Sequence, residues 1–253
     1  MTESNIGSFV WYDMLANDPK AAIAFYTEVI GWKAEAWENG YTMFVGSEGP
    51  LGGAVQLPED AKKMGAGPHW MSNVAVADIE ATVAKARKLG GTIRVEPMDV
   101  PNIGRYAIIA DPQGASVSVI QMSRPMPLHD TTKAGAFTWN ELLTSDYEAA
   151  FRFYSELFGW KKQSEFDMGP MGKYLIYGLD GREFGGMFTV PNAGMPPCFC
   201  YYVHVDDLDA ALARAVAKGA TVMNGPMHVP GGARIVQLLD PQKAMFALHE
   251  AKR

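Results

Sequence analysis

The sequence predicts an α+β protein of two tandem modules, each a pair of βαβββ units forming a curved eight-stranded sheet with its helices outside. Three observations predict this. Residues 9–35 and 137–163 are identical at 12 of 27 positions, and residues 98–113 match 227–242 at 7 of 16, so the chain is an internal duplication. Within each copy a strand-like run twice ends in Asp-x-x-Ala, at Asp18/Ala21, Asp78/Ala81, Asp146/Ala149 and Asp207/Ala210. Each helix-periodic stretch is then followed by three short alternating runs. The duplication places module 1 at 1–124 and module 2 at 136–253. The linker between them, 125–135, carries Pro125, Pro127 and a polar run.

Taken in order, the first run from Phe9 alternates as a strand, and Asp18 is placed to N-cap the helix behind it by accepting a backbone N–H. That helix buries the stripe Ala22, Phe25, Tyr26, Val29, and its counterpart in module 2 buries Ala150, Phe153, Tyr154, Leu157. Gly31, Gly90, Gly159 and Gly219 stand where the four helices need a left-handed residue to stop. Strands are expected over 33–37, 41–46 and 53–57 after the first helix, and over 92–98, 105–110 and 115–121 after the second. A sheet of eight such strands curls and encloses a cavity.

Composition narrows the function. The chain has 253 residues, 48 % of them apolar, ample for a core without disulfide or metal staples. With 22 Lys and Arg against 28 Asp and Glu the net charge is −6, which disfavours nucleic acid as a partner. No apolar run is long enough to span a membrane, and the N-terminus lacks a charged segment followed by an apolar core, so a cytoplasmic location is expected. Cys198 and Cys200 alternate onto one strand face, roughly 7 Å apart along the strand, too far for an easy disulfide. No phosphate-binding glycine loop, nucleophile elbow or HExxH sequence occurs.

The βαβββ duplication, the motif Ala24-Phe25-Tyr26 to Gly31-Trp32, its looser copy Phe153-Tyr154 to Gly159-Trp160, and the Asp-Pro-Gln turns at Asp111 and Asp240 resemble the vicinal oxygen chelate superfamily. That superfamily includes glyoxalase I, bleomycin-resistance proteins and extradiol dioxygenases. The likeness covers nearly the whole chain, and the Phe-x-Trp openings together with 168–174 are similar to its two-module, glyoxalase-like branch. The resemblance implies metal ligands on the first strand, the fifth strand and the last strand of a module. Those positions hold Trp11, Met71 and Ser118 in module 1 and Trp139, Cys200 and Ala247 in module 2, without the imidazoles and carboxylates a divalent ion takes. No cofactor is therefore expected at the family's positions.

Strand alternation then assigns the cavity. Trp139, Glu141, Cys200, Tyr202, His204 and His249 share its face in module 2, and Trp11, Asp13 and His69 in module 1, whereas Tyr12 and Asn140 have the opposite parity. Arg105 and Arg234 occupy equivalent positions suited to a cavity mouth, where a guanidinium grips carboxylate or phosphate. The repeated pairs Gly52-Gly53 and Gly185-Gly186 suggest close backbone approach. The loops 58–68 and 167–173 and the methionines Met168, Met171 and Met195 are lid candidates. Glu141, if buried, is expected to pair with His204, a ligand donor or water. The reading is a glyoxalase-like protein that binds a small organic molecule, a monomer whose modules pair internally. The alternatives are a metal-dependent lyase, isomerase or dioxygenase in aldehyde or xenobiotic detoxification, using a divalent metal at Glu141, His204 and His249, and a drug-sequestering resistance protein.

Overall fold

The structure is a computed structural model that describes residues 5–190 and 196–252. In chain order module 1 contains β1 (Phe9–Ala16), α1 (Pro19–Ile30), β2 (Lys33–Ala36), β3 (Thr42–Gly46), β4 (Gly49–Gln56), α2 (Glu59–Lys63), β5 (His69–Ala75), α3 (Ile79–Lys88), β6 (Thr92–Val100), β7 (Gly104–Ala110) and β8 (Ser116–Met122). Module 2 contains β9 (Phe137–Thr144), α4 (Tyr147–Phe158), β10 (Lys161–Asp167), β11 (Lys173–Leu179), β12 (Arg182–Thr189), β13 (Cys198–His204), α5 (Leu208–Ala217), β14 (Thr221–His228), β15 (Arg234–Leu239) and β16 (Met245–Glu250). The four expected helices form where the caps put them. Asp18, Asp78, Asp146 and Asp207 each accept the N–H of the Ala three residues on, at 2.9–3.0 Å. Gly31 and Gly159 end α1 and α4 with φ of 92° and 79°.

Each module is one curved, mixed eight-stranded sheet, ordered β2-β3-β4-β1-β5-β8-β7-β6 in the first and β10-β11-β12-β9-β13-β16-β15-β14 in the second. The outer strands pair antiparallel, and the crossovers through helices make β1 with β4, β5 with β8, β9 with β12 and β13 with β16 parallel. The short α2 was not legible in the loop 58–68. It has no buried residue, and its ion pairs Glu59–Lys62 and Asp60–Lys63 lie in solvent.

The packing cuts across the modules. Among the described residues, one compact unit is drawn from those of 5–11, 72–128, 140–190 and 196–199, and the other from those of 12–71, 129–139 and 200–252, so each takes one βαβββ from each module. This gives the signature residues their purpose. In the second unit the buried Tyr26 hydroxyl donates to Asp240 at 3.0 Å, while the other Asp240 oxygen accepts the N–H groups of Gln242 and Ala244. Gln242 in turn grips the backbone of Asp18 at 2.8 Å in both directions, and the Trp32 indole donates to the Gly135 carbonyl at 2.8 Å.

The first unit repeats the scheme. Asp111 accepts the N–H groups of Gln113, Gly114 and Ala115, and the Trp160 indole donates to the Gly7 carbonyl at 2.7 Å. Phe9, Trp160, Phe184 and Phe199 pack around that bond with centroid separations of 5.2–6.4 Å. At about 25 cal/mol per Å² such rings each contribute several kcal/mol of burial. The linker is anchored too. Leu128 packs on Val10, Ala75 and Ile120 in the first unit, and in the second His129 and Asp130 hydrogen-bond to Pro50 and Glu48.

Candidate functional site

In both modules a carboxylate on the first strand is held by a tyrosine at or just before the third strand. In module 1 the Tyr41 hydroxyl donates to Asp13 at 2.5 Å, and in module 2 the Tyr174 hydroxyl donates to Glu141 at 2.8 Å. The glycine pairs make room for this. A Cβ on Gly52 would stand 2.2 Å from the Tyr12 carbonyl oxygen and one on Gly185 1.9 Å from that of Asn140, so the first glycine lets fourth-strand backbone press on the first strand. A Cβ on Gly53 would meet the Tyr41 ring at 2.4–2.5 Å, and one on Gly186 the Tyr174 ring at 2.0–2.2 Å. The second glycine is thus the bed on which the ring lies to reach the acid. Phe188 flanks Tyr174 with centroids 5.7 Å apart.

Sequence reasoning assigned both acids to this face but missed both tyrosines. Their signal was present: Tyr41 maps onto Tyr174 once the five-residue insertion in 167–173 is added to the repeat offset. Glu141 is 6 % exposed and accepts from the Tyr174 hydroxyl, a partner outside the expected His204, ligand donor or water. Cys198 lies near it, and burial first and the Glu141 charge second push that thiol up to about 11. A thiol so placed stays protonated at neutral pH and is a poor nucleophile. Trp11 and Trp139, each two residues before the acid on the same strand, are half-buried.

Cys200 is fully buried, and Tyr202, 2 % exposed, receives the Gln237 amide on its hydroxyl at 2.7 Å. His204 and His249 are register partners on adjacent strands with ring centroids 5.7 Å apart. His204 Nε2 is 3.8 Å from Asp206, and the Nδ1 atoms of both rings are buried without a hydrogen-bond partner among the described residues. Burial, then the neighbouring His204, hold His249 below the usual imidazole range. His69 sits at the start of β5 with Nδ1 2.7 Å from the Gly67 carbonyl.

The arginines serve the framework. Arg105 is bound by Glu80 and Asp99 at 2.8 and 3.0 Å. Arg234 is bound by Asp209 at 2.8 Å and Glu250 at 3.2 Å. Each therefore ties a strand to the first turn of the helix beside it, through the acids Glu80 and Asp209 at repeat-equivalent positions. The loop 167–173 closes on a 3₁₀ turn, Gly169–Met171, whose first N–H bonds Asp167 at 2.8 Å. Met171 is 56 % exposed there, and Met195 lies outside the described residues.

The donor chemistry at the six positions named by the resemblance does not fit a divalent ion. An indole nitrogen has no lone pair to give, the Ser118 hydroxyl donates to the Ala107 carbonyl at 3.3 Å, and Ala247 has only a methyl. Among the described residues no three His, Cys, Asp or Glu side chains gather closely enough to hold a metal, so Glu141, His204 and His249 do not form such a set.

The comparisons with known proteins agree with this architecture. The family model described as Glyoxalase/Bleomycin resistance protein/Dioxygenase superfamily matches residues 8–119 and again 136–248. "Putative glyoxylase CFP32" of Mycobacterium tuberculosis is 31 % identical over 252 residues, covering 98 % of this chain and 96 % of that protein. "Anthracycline biosynthesis protein DauV" of Streptomyces sp. is 30 % identical over 269 residues, covering 100 % and 96 %. Among solved structures, the Mn(II)-bound glyoxalase from Novosphingobium aromaticivorans superposes with a TM-score of 0.68 at 15 % identity, covering 99 % of this chain and 84 % of its own. Homoprotocatechuate 2,3-dioxygenase from B. fuscum gives 0.69 at 13 % identity, covering 99 % and 72 %.

Proposed function

The chain belongs to the glyoxalase/bleomycin resistance protein/dioxygenase superfamily, and we propose that within it this protein binds a flat, hydroxylated or keto-bearing organic molecule without a metal at the family's ligand positions. The observation that carries this reading is the duplicated carboxylate–tyrosine pair on its glycine bed, built at the strand where the family's first ligand position holds tryptophan. A carboxylate can accept about four hydrogen bonds, so one that holds a tyrosine can also take an O–H or N–H from a ligand. Trp139, one alternation earlier, supplies an apolar ring to lie against. The negative charge of Glu141 disfavours an anionic group at the same point. The relatives' names, one a glyoxylase and one an anthracycline biosynthesis protein, support small-molecule chemistry and favour polycyclic candidates.

The test is quenching of tryptophan fluorescence by 1,8-dihydroxyanthraquinone as a first probe, with thermal-shift screening of related phenols and quinones. Trp139→Ala and Tyr174→Phe should each weaken binding at least tenfold while the chain stays folded, and Trp11→Ala should matter less. Binding that survives both module 2 changes contradicts the assignment.

A second reading rests on the same pair. A buried carboxylate hydrogen-bonded to a phenol can take a proton from a bound hydroxyl or an acidic carbon and return it elsewhere, which is isomerase chemistry. Glu141→Gln would then abolish proton exchange of a bound ligand with solvent deuterium under conditions where the ligand still binds.

A further inference from the structure

We infer that His204 and His249 form a separate binding site for a first-row transition-metal cation, with two imidazoles as its protein ligands and solvent or an exogenous ligand completing the sphere. The site uses no residue of the carboxylate–tyrosine pairs and no position at which the family resemblance puts a ligand.

Placement comes first. His204 on β13 and His249 on β16 are directly opposed in a parallel pair, so both side chains leave the same face of the sheet. A metal at the ~2.0–2.1 Å of a Zn–N bond stands roughly 3.2 Å from each imidazole centroid, so two ligand rings lie about 5.2 Å apart at a tetrahedral angle and about 6.4 Å apart when linear. The observed separation of 5.7 Å lies between these.

Chemistry comes second. Both Nδ1 atoms are buried with no hydrogen-bond partner among the described residues, although His204 as a whole is only 7 % exposed. A buried polar atom left without a partner is destabilising, so such a pair calls for a ligand. The Asp206 carboxylate, 3.8 Å from His204 Nε2, favours the proton on that nitrogen and leaves the lone pair on Nδ1. His249 is half-buried as a residue, and its Nδ1 is buried.

The duplication supplies an internal control. The equivalents of His204, His249, Ile235 and Thr138 in module 1 are Ala75, Ile120, Tyr106 and Val10. Ala75, Ile120 and Val10 form an apolar cluster there, against which Tyr106, Met122 and Leu128 pack. The fold therefore accepts aliphatic side chains at this point, and packing does not require two imidazoles in module 2.

The experiment uses the full chain without an affinity tag, stripped with chelator and titrated with Cu(II), the divalent ion that nitrogen sites hold most tightly, and then with Zn(II). Wild type should bind one equivalent of Cu(II), with nitrogen hyperfine splitting from two imidazoles in its electron paramagnetic resonance spectrum. The variant His204→Ala with His249→Ile, which installs the module 1 residues, should keep its circular dichroism and melting temperature and lose at least tenfold in affinity together with that splitting. Asp206→Asn should weaken binding with both nitrogens retained. A wild type that binds no more tightly than the double variant, or a spectrum unchanged in that variant, overturns the inference.

Discussion

At Gly185 and Gly186 the absence of a side chain carries the site, because one admits a backbone carbonyl and the other a phenol ring. Gly185→Ala sets a Cβ 1.9 Å from the Asn140 carbonyl oxygen, a backbone atom that cannot swing away, and should destabilise the fold by at least about 2 kcal/mol in urea unfolding. Gly186→Ala meets only the ring of Tyr174. Its effect should shrink when combined with Tyr174→Ala, a coupling that a double-mutant cycle measures. The buried aspartates of the Asp-Pro-Gln turns give a pH signature. Burial, as the largest cause, holds Asp111 and Asp240 above the ordinary carboxylate range despite the hydrogen bonds they accept. The folded chain therefore binds protons at these sites more tightly than the unfolded chain. Their contribution is fully present below the unfolded value of about 3.9 and is lost as pH rises through the folded one. Unfolding free energy measured from pH 4 upward should fall more steeply in wild type than in Asp240→Asn.

Among the elements, helix boundaries were the most legible because short-range chemistry sets them: an Asp that caps and a Gly that stops. Asp78→Ala should cost about 1 kcal/mol, read as a lower melting temperature, since only the N-cap bond to Ala81 is lost. Strand alternation assigned Asp13 and Glu141 to equivalent positions on the first strands of their modules. What alternation could not supply was the partner of each acid. Tyr41 and Tyr174 reach across from a different strand, and that pairing depends on the position of the five-residue insertion in 167–173 and on which glycine lies beneath the ring. The ion-pair partners of Arg105 and Arg234 were illegible for a related reason. Periodicity locates a guanidinium on a strand, but the acids that claim it, Glu80 and Asp209, sit on helices whose first turns only the folded chain brings near.

For the whole molecule, the duplication revealed two modules, but nothing local in the sequence showed that each compact unit would draw on both. Tyr26 with Asp240, Trp32 with Gly135, and Trp160 with Gly7 join residues more than a hundred positions apart. Residues 1–128 expressed alone should therefore fail to fold as a monomer, either aggregating or pairing with a second copy, as size-exclusion chromatography would show. A stable monomeric half would contradict the shared cores. The central claim is that the carboxylate–tyrosine pair of module 2 holds an organic ligand with no metal at the family's positions. Isothermal titration of 1,8-dihydroxyanthraquinone into wild type and Tyr174→Phe, with and without chelator, tests it most directly. We expect chelator to leave the wild-type affinity unchanged and Tyr174→Phe to weaken it at least tenfold, about 1.4 kcal/mol. Binding that vanishes with chelator, returns with Mn(II) and ignores Tyr174→Phe would contradict the claim.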